Sequence, residues 1–189
     1  MATQNPSAKP NLKPFRDYDE HDVVNLYAHQ LGAVNRGTFV KLVTGADPDD
    51  HSAWGNNNLQ NSPSNVVNLR HIVNWKVATA GSGDVVFGMT LYDVAEVTEW
   101  GDKLQFQPAY KAAELNTVVS GRAVPIARRG MFEINGFSGT PDAGSGAAIH
   151  DVTAGQLKIT TNPQATDNVG IFLSQSGADG YALFLLDPK

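Results

Sequence analysis

Short runs of apolar and β-branched residues, separated by glycine-containing turns, make up most of the chain. Such runs predict β-strands, because successive side chains of a strand alternate between a buried side and a solvent-facing side. Many short strands broken by glycine turns indicate a β-sandwich or barrel. In the last two thirds of the chain the runs are residues 66–78, 85–91, 94–100, 118–127, 131–134, 157–160, 171–174 and 181–186.

The first third of the chain is less regular. Residues 23–28 fit either one face of a helix or a strand, and we favour a strand because a turn at residues 35–37 leads into a β-rich run at residues 38–43. One helix is predicted at residues 108–115, where a proline lies in the first turn. The expected fold class is therefore mainly β, a β-sandwich or barrel-like body with one short helix.

Residues 1–20 are expected to form an extended N-terminal arm, in front of a β-rich body at residues 21–189. Prolines recur in the arm at positions 6, 10 and 14. Proline lacks the backbone N–H that a helix or central strand needs, and it holds the chain extended. Such a peptide can become ordered on a neighbouring surface through its side chains. The candidate contacts in the arm are Leu12, Phe15, Arg16 and Tyr18.

The composition narrows the class of protein. The chain has 189 residues, enough to bury a core in one domain, and its lack of cysteine excludes disulfides and thiolate metal sites. A net charge of −5 argues against a nucleic-acid partner, which needs cations to neutralise its phosphates. No membrane partner is expected, because the longest apolar stretch, residues 181–186, is far shorter than the roughly 20 residues of a membrane helix. The polar start of the chain also lacks the apolar run of a secretory signal.

The sequence offers few candidate catalytic or metal-binding groups. The five histidines form no H-x-H or H-x-x-x-H pair. The carboxylates at residues 17–22 lack the central glycine and distal glutamate of a calcium loop, and the second cluster, at residues 47–50, is interrupted by Pro48. Ser138 lies in a Gly-Phe-Ser-Gly turn, one residue short of the hydrolase nucleophile motif, so an all-β hydrolase is the enzymatic alternative. We expect no catalytic residue, no metal and no cofactor.

Arg128 and Arg129 form the only basic doublet, at a turn after a predicted strand. Two cations are too few for a phosphate-rich partner, whereas an arginine pair at a protein interface needs only two carboxylates. We interpret the doublet as a salt-bridge site, either within the chain or between subunits, with plain solvation as the alternative.

Three groups of segments contain packing and turn motifs without catalytic chemistry. They comprise residues 18–25 with 37–41, residues 88–94 with 100–104, and residues 110–115 with 120–126 and 129–132. These groups resemble segments of the capsid decoration, or cement, proteins of tailed bacteriophages, particularly those of cyanophage-like and related marine phages. The third group is the most similar to the core segment of that family.

The resemblance implies a non-enzymatic virion structural protein that decorates the outside of a phage capsid and bridges subunits of the major capsid protein. It implies an N-terminal arm lying on that partner, and association with itself as a homotrimer or, alternatively, a dimer. The protein would assemble in the host bacterial cytoplasm and end on the outer capsid surface of the virion. Charged residues make up only 17% of the chain, which fits a surface largely covered by other protein.

A glycan- or host-surface-binding β module of a virion is the alternative function. Residues 45–65 are predicted to form a loop that is longer than compact domains usually carry without a use for it. Aromatic rings can stack on sugars. The candidate glycan-binding residues on this loop are Trp54, Asn56, Asn57 and Asn58.

Overall fold

The computed structural model describes residues 12–14, 19–27, 33–43, 76–98, 101–106, 116–119, 122–149, 153–160 and 168–188. Within these ranges the protein is mainly β, which confirms the predicted fold class. Two short 3₁₀ helices lie at Glu20–Asp22 and Leu104–Phe106. The strands in chain order are β1 (Leu12–Pro14), β2 (Val23–Tyr27), β3 (Phe39–Val43), β4 (Lys76–Thr79), β5 (Gly88–Thr90), β6 (Asp93–Ala95), β7 (Thr117–Val119), β8 (Ala123–Ala127), β9 (Gly130–Ile134), β10 (Phe137–Ser138), β11 (Gly146–Ile149), β12 (Leu157–Thr160), β13 (Gly170–Phe172) and β14 (Ala182–Leu186).

Five strands close into a barrel in the order β2-β4-β3-β5-β8, with β2 pairing back onto β8. Only the β2–β4 pair is parallel among these five strands. A closed barrel has no free strand edge. The small parallel sheet of β6 and β7 packs on the barrel through Val94, which also forms a bridge with Val34, ahead of β3. The strands share a cluster of mostly small branched side chains: Val40, Val77, Val94, Val124 and Ile126.

The second sheet has seven strands in the order β1-β9-β14-β13-β11-β12-β10. Its strands β9 and β10 are nearly at opposite ends of this order, yet only Asn135 and Gly136 separate them in the chain. Such a link spans at most about 11 Å between the flanking Cα atoms. The sheet must therefore be rolled, so that its β9 and β10 ends approach each other.

The two sheets are connected by one bent run of chain. Strand β8 belongs to the barrel and β9 to the rolled sheet, and only Arg128 and Arg129 lie between them. Strands β2 and β1 follow the same run in antiparallel direction, from the pair Tyr27–Ala123 to the pair Leu12–Ile134. The backbone N–H of Arg128 donates to the carbonyl of Asp22, at 2.8 Å. The arginine doublet thus marks the corner between the sheets.

A core of phenylalanine side chains joins the sheets. Phe184 of β14 meets the ring of Phe39 from barrel strand β3 edge-on, with centroids 6.1 Å apart. It also contacts Phe172 of β13, at 5.3 Å between centroids. All three rings are at most 1% exposed. Aromatic edge contacts add to the free energy gained by burying the rings, so the barrel and the rolled sheet pack as one body.

The turn before β12 ties the sheets together through backbone hydrogen bonds. The N–H of Gly155 donates to the carbonyl of Ala80 at 2.8 Å, and the N–H of Phe39 donates to the carbonyl of Gly155 at 3.1 Å. Gly155 has φ of +77°, and a Cβ there would overlap the side chains of Thr38 and Thr79. Only glycine fits this close approach.

Several predicted boundaries differ from those observed. The predicted strand at residues 118–127 is two strands, β7 and β8. The Gly-Phe-Ser-Gly stretch around Ser138, predicted as a turn, contains β10. The predicted helix at 108–115, the loop at 45–65 and most of the run at 66–78 lie outside the described residues.

Candidate functional site

The predicted interface residues fall into three groups. Phe15, Arg16 and Tyr18 lie outside the described residues, as do the glycan candidates Trp54, Asn56, Asn57 and Asn58. Leu12 lies on β1, and the doublet Arg128–Arg129 lies at the corner between the sheets. Leu12 pairs with Ile134 at the far end of β9, so the whole length of that strand separates Leu12 from the doublet.

Leu12 packs inside its own chain. Its side chain is 3% exposed and belongs to the core cluster that also contains Ile134, its register partner on β9. The sequence predicts Leu12 as a contact for a neighbouring subunit. In this conformation Leu12 is buried within its own chain, because β1 is a strand of the rolled sheet. Another subunit could contact Leu12 only if β1 separated from β9.

Lys13 fastens β1 to the loop between β13 and β14. Its Nζ lies 3.2 Å from Oδ2 of Asp179 and 3.7 Å from the ring centroid of Tyr181. The backbone N–H of Tyr181, followed by the Lys13 ammonium, lowers the pKa of Asp179 below its usual value. The ion pair and the cation–π contact hold the outermost strand in place from its solvent side. Lys13 and Asp179 are 166 positions apart, so nothing in the sequence pattern marks this contact.

Arg129 has a carboxylate partner within the chain. Its Nε lies 3.2 Å from Oδ1 of Asp187, which follows β14 directly, and both side chains are more than half exposed. The predicted salt bridge is thus present as an intrachain pair at this residue. An exposed pair of this kind contributes little to stability, typically about 0–1 kcal/mol.

Arg128 makes a different contact. Its guanidinium carbon lies 5.0 Å from the ring centroid of Phe87, and its side chain is exposed. The half-buried ring of Phe87 packs on the barrel cluster. Val85, two positions earlier in the chain, is 81% exposed, more than any other large apolar residue in the described ranges. No carboxylate among the described residues forms an ion pair with Arg128.

The loop that carries Val85 is itself fixed. Oδ2 of Asp84 accepts from the Nζ of Lys41 at 2.8 Å and from the backbone N–H of Gly81 at 2.7 Å. The hydrogen bond from Lys41, followed by that from Gly81, lowers the pKa of Asp84. Lys41 lies on β3, so the loop is held against the barrel wall beside the Phe87–Arg128 stack. The sequence pattern predicts Phe87 and Val85 only as members of the strand at residues 85–91, and nothing in it marks them as contacts.

Other polar groups do not assemble into a larger site. Ser138 lies exposed on β10, in register with Lys158 of β12. Buried Nε of Arg36 and buried Oδ1 of Asn135 have no hydrogen-bond partner. Across the described ranges, no three histidine, aspartate or glutamate residues lie close enough to hold a metal ion. The described surface offers an edge strand, a fixed loop and, at the corner between the sheets, an arginine without a carboxylate partner.

Comparison of the chain with protein-family models, with curated proteins and with solved structures gives no match. In the part of the chain that the structure describes, no helix has both the length and the apolar composition needed to cross a membrane.

Proposed function

We propose that this chain is a non-enzymatic virion protein that decorates the outside of a phage capsid and stabilises it by bridging subunits of the major capsid protein. The observation that supports this most is the position of β1. The first described segment of the chain lies as the outermost strand of the rolled sheet, with Leu12 buried and one backbone edge unpaired by the other described strands. An unpaired strand edge is a surface onto which another polypeptide can add a strand.

The rest of the body suits adhesion. A closed barrel packed on a rolled sheet through a shared aromatic core loses little conformational freedom when it binds. A stiff body that touches two or more capsid subunits at once makes its later contacts intramolecular, so weak contacts add up to firm attachment. The partners in this proposal are the major capsid protein and further copies of the chain, as a homotrimer or a dimer.

The direct test is attachment to shells. Expanded empty shells assembled from the major capsid protein of the same virus are mixed with the purified chain and sedimented, and the temperature at which the shells break is measured with and without it. We expect the chain to co-sediment at micromolar concentration and to raise the breaking temperature. An unrelated acidic protein of similar size is the control. No association at that concentration contradicts the proposal.

A further inference from the structure

Three cations on the described surface of the body are neutralised within the chain, whereas the exposed Lys103 and Arg122 form no ion pair with the described residues. Lys13 pairs with Asp179, Lys41 with Asp84, and Arg129 with Asp187. Arg128, at the corner between the sheets, also pairs with none of the carboxylates in the described ranges, although its neighbour Arg129 does. Two arginines that are adjacent in sequence and both exposed therefore have opposite electrostatic states, one paired and one free.

The guanidinium of Arg128 is held for binding. Its central carbon lies over the ring of Phe87, 5.0 Å from the ring centroid, and the backbone N–H of Arg128 donates to the carbonyl of Asp22. The guanidinium N–H groups donate to none of the described residues, so they remain available in the fork geometry that matches a carboxylate. Because the ring is packed on the barrel cluster, the stack costs little side-chain freedom when a ligand binds.

The surroundings favour a protein carboxylate over a polyanion. The neighbouring cation Arg129 is already neutralised and the chain carries a net charge of −5, so a phosphate-rich partner would meet repulsion beyond this single arginine. Val85 projects 81% exposed from the fixed loop that leads to Phe87. Arginine and aromatic side chains next to exposed apolar surface are typical of the central contacts of protein interfaces.

We infer that Arg128, stacked on Phe87 and flanked by Val85, is a contact that receives a carboxylate of the capsid subunit, and that Arg129 takes no part in it. This inference rests on the proposed function, since it names the chemistry by which the decorating chain holds its partner. It divides the arginine doublet into one binding residue and one residue that is satisfied within its own chain.

The test compares matched variants on the same shells. Dissociation constants for expanded shells are measured by sedimentation for the unaltered chain, Arg128→Gln, Arg129→Gln and Val85→Ser. We expect Arg128→Gln to weaken binding by about tenfold or more, since truncating one partner of an interfacial charge pair typically has an effect of this size. Val85→Ser weakens it less, and Arg129→Gln changes it less than about twofold, the range of a rim charge. Melting of each variant checks that the body is folded.

The salt dependence adds a second readout. Binding of the unaltered chain should weaken as ionic strength rises, and Arg128→Gln should flatten that dependence whereas Arg129→Gln should not. If the unaltered chain binds shells and the two arginine variants bind equally well, or equally poorly, the inference is wrong while the proposed function stands. If the unaltered chain does not bind shells, the proposed function fails, and the capsid partner of Arg128 fails with it.

Discussion

The barrel and the rolled sheet are built from similarly short strands but differ in whether the sheet closes on itself. The barrel pairs every one of its strands on both sides, and its strands β3, β4 and β8 share with β6 a cluster of valines and one isoleucine. The rolled sheet keeps two end strands, β1 and β10, and packs its phenylalanine side chains against the barrel. The closed barrel therefore holds the loop at Asp84 and the Phe87–Arg128 contact in place. The rolled sheet instead combines the phenylalanine core with an unpaired strand edge at β1.

The largest expected effect comes from the aromatic core. Phe184→Ala removes the ring that contacts both Phe39 and Phe172, and we expect the free energy of unfolding to fall by about 3–5 kcal/mol. The comparison in the barrel is Ile126→Val, which removes one methylene group from a fully buried side chain and should cost about 0.5–1.5 kcal/mol. Urea unfolding of both variants measures the difference. Equal costs would contradict a core centred on the phenylalanines.

Leu12→Ala tests the edge of the rolled sheet. Leu12 is buried in the core cluster, so we expect a loss of about 2–5 kcal/mol, toward the lower value because a three-residue edge strand can relax. Lys13→Ala is the matched control on the same strand, because the Lys13 side chain is 42% exposed and its ion pair is weak. The same reasoning predicts that removal of residues 1–20 lowers the melting temperature of the body. If Leu12→Ala lowers the free energy of unfolding no more than Lys13→Ala does, β1 does not belong to the rolled sheet.

Gly170→Ala tests how closely the strands of the rolled sheet approach. A Cβ at this position would overlap the carbonyl oxygen of Leu185 and the ring of Phe184. Such overpacking typically costs about 1–3 kcal/mol. Gly81→Ala is the control, because its Cβ would meet only Oδ2 of Asp84, at 3.3 Å, a much milder contact than those at Gly170. Thermal unfolding of the two variants should separate them clearly, and equal melting temperatures would argue against the tight packing at β13.

The smallest effect is expected at the Lys13–Asp179 contact. The folded protein lowers the pKa of Asp179, so the contact stabilises the fold above the usual pKa of the group and is lost as the pH falls through the lowered value. Asp179→Asn should therefore reduce stability slightly near neutrality, and this difference should disappear as the pH falls through the lowered pKa of Asp179. Melting temperatures across this pH range measure it. A larger loss in acid than at neutral pH would have the wrong sign.

The sequence predicts those strands whose residues are β-branched or aromatic. The run at 38–43 contains β3, and the run at 181–186 contains β14, with boundaries one residue apart. Strand β11 escapes prediction because Gly146, Ala147 and Ala148 carry little β propensity. Ala147 shares the core cluster with phenylalanine rings from strands that are distant in the sequence. Small side chains fit β11 because those rings already occupy the core.

The candidate site is only half predictable for the same reason. The doublet Arg128–Arg129 stands out as a basic pair in a chain with few charges. Nothing local distinguishes its members, because the aromatic partner Phe87 and the acidic partner Asp187 lie about 40 and 60 positions away. Whether an arginine is free or paired depends on which strands the fold brings to the corner, and this is known only once the sheets are assembled.

Imaging of the intact virion by electron cryomicroscopy tests the central proposal most directly. We expect density outside the main shell into which the barrel and the rolled sheet fit as one body, with the corner that carries Arg128 facing a capsid subunit. A mature particle whose outer surface shows only the major capsid protein, with no density of this shape, contradicts the account.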